Sequence, residues 1–161
     1  MRITIDTTYL LPLIGIAIKG LPDNIILELI SRKYRVYINH ITIFELIAKG
    51  AKYVTRGLLS PTRVLRGVNA IVYDERIEKV SLEDSDVLAL AFKLRTRIDD
   101  FIDCLIVSTA IHYSNVLLTE DSTIIKLVDN TWFKEVVQAL NPDFKILDYE
   151  GFKEKYLKVN K

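Results

Sequence analysis

The chain has 161 residues, half of them hydrophobic and 27% charged, with a formal net charge of +1. That length supports one domain with its own core, so residues 1–161 are read as a single domain. The near-neutral charge excludes a molecule-wide basic field. The lone cysteine, Cys104, excludes a disulfide framework or thiolate metal site, and no apolar run reaches the ~18 uncharged residues of a membrane span.

The mean hydropathy of +0.20 predicts a sheet and at least one helix buried on all sides, and a surface suited to oligomerisation. No basic-then-apolar leader precedes the first strand-like segment, so a soluble cytoplasmic protein is expected.

In chain order, Arg2 to Asp6 alternates as a short strand. A helix is expected from Tyr9 to Gly20, a second after Pro22-Asp23, a strand at Arg35 to Asn39, and a helix from Ile41 ending at Gly50. Apolar positions at helical spacing predict a further helix from Ser60-Pro61 to about Asp74. Ile77 to Val80 reads as a short strand, and Ser81 to Asp84 as a capping box opening a helix to about Thr96. Phe101 to Ser114 is apolar nearly all round, the mark of a buried helix. A strand at Val116 to Thr119, a helical turn at Ile124 to Leu127, and a helix at Trp132 to Leu140 follow. The chain closes with a strand at Lys145 to Asp148 and a helix at Glu150 to Lys158. Short, unalternating strands that alternate with helices predict a three-layer α/β/α sandwich around a mainly parallel sheet.

Four acids interrupt apolar stretches of this pattern: Asp6 in MRITIDTTYL, Glu45 in ITIFELIA, Asp103 in FIDCLIVSTAI and Asp121 after VLLTE. Each has a structural alternative as a helix cap: Asp6 as an N-cap, Glu45 in a box with Thr42, Asp103 in a box with Asp100, and Asp121 capping the turn after its strand. Taken together they point elsewhere. In a parallel sheet, strand ends and the helix starts beside them share one edge, where ligands bind. Like charges gathered there repel unless a cation intervenes, and Mg²⁺ or Mn²⁺ prefers oxygen ligands of this kind.

Asp6-Thr7-Thr8 after the first strand, Thr42 to Glu45 heading an early helix, Asp103 to Ala110 in a late apolar helix, and Leu117-Leu118-Thr119-Glu120-Asp121 resemble, in order, the PIN-domain pattern, most like VapC-type toxin ribonucleases. The resemblance covers nearly the whole chain. It implies a PIN-like fold and Mg- or Mn-dependent cleavage of RNA, with Asp6, Glu45, Asp103 and Asp121 as catalytic metal ligands. It also implies an antitoxin protein partner, and the apolar bias of Leu10 to Ile18 and Ile25 to Ile30 offers faces for such a partner's helix or for a second subunit in a homodimer. The chain departs from the pattern where Ser122-Thr123-Ile124 replaces a frequent aromatic, and in a long middle segment, about 51–97, without a matching motif.

Other residues weigh less. Lys49, Lys52, Arg56, Arg63 and Arg66 fall in an acid-free stretch, either a solvated helix face or a phosphate contact. Asp99 and Asp100 read as a solvated helix start, His112 as packed or hydrogen-bonded, and Cys104 as core. His40 and His112 lack ligand spacing. Thr119 is placed to hydrogen-bond a carboxylate or a water, or to serve only as a strand residue. Two other functions fit the acids: a phosphoryl-transfer enzyme using Asp6, which lacks the second Asp (Thr8 stands there) or late Lys such enzymes need, and a non-catalytic PIN-like binding or assembly module.

Overall fold

A computed structural model of the chain describes residues 1–158. Five short strands, β1 (Arg2–Ile5), β2 (Arg35–Asn39), β3 (Ile77–Val80), β4 (Val116–Leu118) and β5 (Lys145–Leu147), form one parallel sheet in the order β3-β2-β1-β4-β5. The chain thus builds outward from β1 in one direction and then returns to build in the other. The reversal lies between β1 and β4, where open parallel sheets place their ligand crevices.

Side-chain alternation sorts the strands onto two faces. Ile3, Ile5, Val36, Ile38, Val116 and Leu118 face one buried cluster. That cluster is completed by α1 (Leu11–Ile14), α2 (Ile25–Ser31), α3 (His40–Thr55), α4 (Pro61–Val72) and Phe152 of α9 (Tyr149–Phe152). Tyr37, Leu117 and Ile146 face the other, built from α5 (Ser85–Leu94), α6 (Phe101–Tyr113) and α8 (Thr131–Leu140). The short α7 (Ser122–Ile125) follows β4. Fully burying each such Ile or Leu contributes about 1.5–3 kcal/mol. The result is the expected three-layer α/β/α sandwich. No helix among the described residues is long and apolar enough to cross a membrane.

Local departures from the sequence expectations have identifiable causes. The helix expected over 9–20 is a 3₁₀ turn at Thr7–Leu10 and one turn of α1, because Gly15 adopts φ of 100° and ends it. Leu10, Leu11, Ile14 and Ile16 there, and Ile25, Ile26 and Leu29 of α2, are core rather than a face for a partner. Gly50 does not stop its helix. It lets α3 run on to Thr55 against α4, since a Cβ there would meet Val64 Cγ1 at 2.6 Å. Asp84, not Ser81, caps α5, accepting from the backbone of Asp86 and Val87. The terminal helix is α9 followed by a π-type turn at Lys153–Leu157.

Buried polar groups fix how helices meet the sheet. Thr4 and Ser114 share a 2.6 Å hydrogen bond, tying β1 to the end of α6. Asn39 accepts from Ile41 N–H, capping α3, while its amide donates to Thr109 Oγ1 of α6 at 2.9 Å. The helix carrying Glu45 is thereby held against the helix carrying Asp103.

Candidate acidic site at the sheet edge

Asp6 directly follows β1, and Thr119-Glu120-Asp121 directly follows β4. The two strand ends are joined across the reversal point by Asp6 N–H donating to Leu118 O at 3.0 Å. Both α3, which leaves β2, and α6, which leads into β4, start at this same edge because crossover helices run antiparallel to the strands they connect. Glu45 and the first-turn Asp103 are therefore carried to the edge that Asp6 and Asp121 already occupy.

Each acid has its own local partners. Asp6 is 7% exposed and makes no cap hydrogen bond despite its N-cap position. It accepts from Thr119 Oγ1 at 2.8 Å. Burial raises its pKa, with Glu45 adding to the rise, while the Thr119 hydroxyl, the Thr7 backbone and Lys49 oppose it. Glu45 does not close a capping box. It accepts from Thr7 Oγ1 and pairs with Lys49 Nζ at 2.8 Å. Asp121 Oδ1 caps α7, accepting from Thr123 N–H at 2.6 Å and Ile124 N–H at 3.3 Å. Asp100, not Asp103, caps α6.

Asp103 is left part-buried, and its pKa is pushed up to about 7. Burial is the largest cause; the charges of Asp100, Asp121, Asp6 and Glu45 follow. Asp103 thus lies within reach of the charges of the other three predicted acids, and Asp6 within reach of that of Glu45. The four do not converge on a single point: among the described residues no three His, Cys, Asp or Glu side chains are grouped to hold a metal ion. Glu45 is paired instead with Lys49 and Thr7, and Asp121 with the α7 backbone.

The donor set nevertheless fits a hard divalent cation. It is all carboxylate oxygen, it suffers mutual repulsion, and helix starts surround it. Thr42, one helical turn before Glu45, is fully buried, and its hydroxyl finds no hydrogen-bond partner among the described residues. Concavity alone would not have located this edge. A cavity of about 560 Å³ lies instead by β5 and α8, lined by Phe133, Val137, Phe144 and Ile146 with three lysines and by none of the four acids.

The remaining predicted candidates separate cleanly. Asp99 is exposed beside Arg95 at 3.8 Å. His112 Nδ1 lies 2.9 Å from Ser108 O. Cys104 is buried, and burial raises its thiol to about 11. Within the basic stretch, Lys49 is engaged by Glu45, and Arg63 donates to the carbonyls of Leu13 at 2.6 Å and Pro12 at 3.4 Å. Lys52, Arg56 and Arg66 remain exposed. Three supporting roles escaped the sequence reading: Thr7 on Glu45, Lys49 on Glu45, and Glu120, which accepts from Tyr9 O–H at 2.5 Å and Tyr149 N–H at 2.9 Å. Only the Lys49 pair had a signal, the Glu-to-Lys spacing of four on one helix.

The family model of the PIN domain matches residues 3–130. Among solved structures, the fold is similar to that of a chain in the crystal structure of VapBC2 from Rickettsia felis bound to a DNA fragment from their promoter. That likeness covers 92% of this chain and 99% of the other, at 17% identity and a TM-score of 0.56. No curated protein matches the chain.

Proposed function

This chain belongs to the PIN-domain family, and on that premise we propose that it is a metal-dependent endoribonuclease, the cytoplasmic toxin of a toxin–antitoxin pair. The observation that carries the reading is the placement of Asp6, Glu45, Asp103 and Asp121 at one edge of the sheet, where burial, and after it the neighbouring carboxylates, raise the Asp103 pKa. Acids spread over 115 residues of sequence gain nothing structurally from that proximity, which costs the fold stability.

Asp6, Glu45, Asp103 and Asp121 would hold Mg²⁺ or Mn²⁺. Bound there, the ion supplies water activation and charge stabilisation for phosphodiester hydrolysis. The chain's own residues do the rest. Thr119 fixes Asp6, Thr7 fixes Glu45, and the α7 backbone fixes Asp121. Asp103, its pKa pushed up to about 7 chiefly by burial, would have to give up its proton where it held the cation. Exposed Lys52, Arg56 and Arg66 would meet backbone phosphates.

The antitoxin and homodimer belong to this same reading. The neighbouring fold comes from a VapBC2 complex, and here Phe44, Ile47, Leu58 and Leu65 stand 45–64% exposed on and beside α3 and α4. One observation favours a second function: with Glu45 and Asp121 satisfied internally, a non-catalytic PIN-like binding module would look the same. Incubation with single-stranded RNA separates the two. The nuclease cleaves with Mn²⁺ or Mg²⁺ and stops with EDTA, and Asp6→Asn with Asp121→Asn, purified in parallel against contaminating nuclease, is inactive. Equal cleavage by wild type and variant, indifferent to EDTA, rejects the nuclease.

A further inference from the structure

Among the described residues, Lys49 is the cation that forms an ion pair with one of the four acids, Glu45. Its Nζ lies 2.8 Å from Glu45 Oε1, while Thr7 donates to Glu45 Oε2, so both carboxylate oxygens are engaged. The same ammonium bears on Asp6 across the edge. The arrangement is dictated by sequence: Glu45 and Lys49 are four residues apart on α3, with the acid N-terminal, the favourable order for an i,i+4 pair. Resting on the reading of this edge as a metal centre, we propose that Lys49 is a resident counter-cation which holds Glu45 in the metal-free protein and which a divalent ion must displace to bind.

The chemistry suits displacement. A hard dication that uses Glu45 must take Oε1 from the ammonium or leave this acid outside its shell. Thr7 need not leave, because a ligating carboxylate oxygen still accepts a hydroxyl. The Lys49 and Glu45 side chains are 39% and 24% exposed, so their pair is partly screened and gives way readily. Lysine, a point charge on a flexible stem, can swing off. Arginine, with its planar two-pronged grip, would lock the carboxylate. Lys49 thereby sets a threshold: the site fills only where divalent ion is plentiful enough to compete.

The test is calorimetric titration of Mn²⁺ into the full chain at low ionic strength, for wild type, Lys49→Met, Lys49→Arg and Lys52→Met. Loss of a partly exposed ion pair should tighten binding by about two- to fivefold in Lys49→Met. Lys49→Arg should bind more weakly than wild type. Lys52→Met, which removes an exposed charge from the same helix, should tighten binding less than Lys49→Met. In the wild type, the Lys49 Nζ resonance should move on adding Mg²⁺, an observation that needs no variant to fold. Unchanged or weaker binding by Lys49→Met, equal tightening by Lys52→Met, or a static Lys49 signal overturns the proposal. No Mn²⁺ binding by any of the proteins rejects the metal centre itself, whereas normal wild-type binding with an indifferent Lys49→Met rejects only the role of Lys49.

Discussion

The hydroxyl of Thr119 donates to Asp6 Oδ2 at 2.8 Å and, on its other side, accepts the backbone N–H of Asp121 at 3.0 Å. A fully buried side chain after β4 thus couples the acid after β1 to the acid two residues on. Thr119→Val keeps the shape and removes the bond. It should destabilise the protein by about 1–3 kcal/mol, the cost of orphaning a buried carboxylate and an amide. Urea denaturation at pH 7 checks this, and Thr119→Ser should recover most of the loss. A Val variant as stable as wild type would mean the bond is not formed.

Asp103→Asn should stabilise the metal-free protein, and the gain should depend on pH. The folded-state pKa is raised, to about 7, above the ~3.9 of an unfolded Asp. Between those values the folded state binds more protons than the unfolded, so wild-type stability falls as pH climbs from about 4 to 7. The Asn variant lacks that fall. It should match wild type below pH 4 and exceed it by about 1–2 kcal/mol above pH 7, allowing for solvent screening. Melting curves across pH 4–8 give the comparison, and parallel curves for the two proteins would contradict it.

Arg63 should behave as a structural residue. Its guanidinium caps the carbonyls of Pro12 and Leu13, so Arg63→Ala should cost about 1 kcal/mol of stability. The salt dependence of RNA binding should not change. Lys52→Ala or Arg66→Ala should do the reverse, lowering the slope of log K against log salt by about 1 each with little change in melting. Fluorescence anisotropy with a labelled RNA at several salt concentrations distinguishes the two patterns.

Gly67 should tolerate no side chain. A Cβ there would lie 2.3 Å from Leu13 O, and backbone cannot step aside cheaply. Gly67→Ala should cost about 1–3 kcal/mol, by the usual penalty for overpacking, and would loosen α1, which follows the 3₁₀ turn after Asp6. Thermal melting is sufficient to test it.

How far the sequence carried this account depended on which interactions decide each feature. Periodicity located the strands and the all-round burial of α6, because a parallel sheet covered on both faces leaves that pattern in the residues themselves. It failed at Gly15 and Gly50, where backbone φ and a contact 14 residues away decide the outcome. The four acids were legible because each interrupts an apolar run. Their pairings were legible only in part: Thr119 stood ready for a carboxylate, but that this is Asp6, 113 positions away, and that Thr7 meets Glu45, 38 positions away, left no mark in the sequence. Arg63 read as either a solvated helix face or a phosphate contact, because charge is visible in a sequence and a carbonyl 50 positions away is not.

The central claim is that Asp6, Glu45, Asp103 and Asp121 share a divalent ion. Anomalous diffraction from crystals grown with Mn²⁺ tests it most directly. A shared ion should give a manganese peak at the C-terminal edge between β1 and β4, within about 2.0–2.4 Å of oxygens from at least two of these acids, and none in Asp6→Asn with Asp121→Asn. A fully occupied peak elsewhere, or an empty edge at millimolar Mn²⁺, would contradict it.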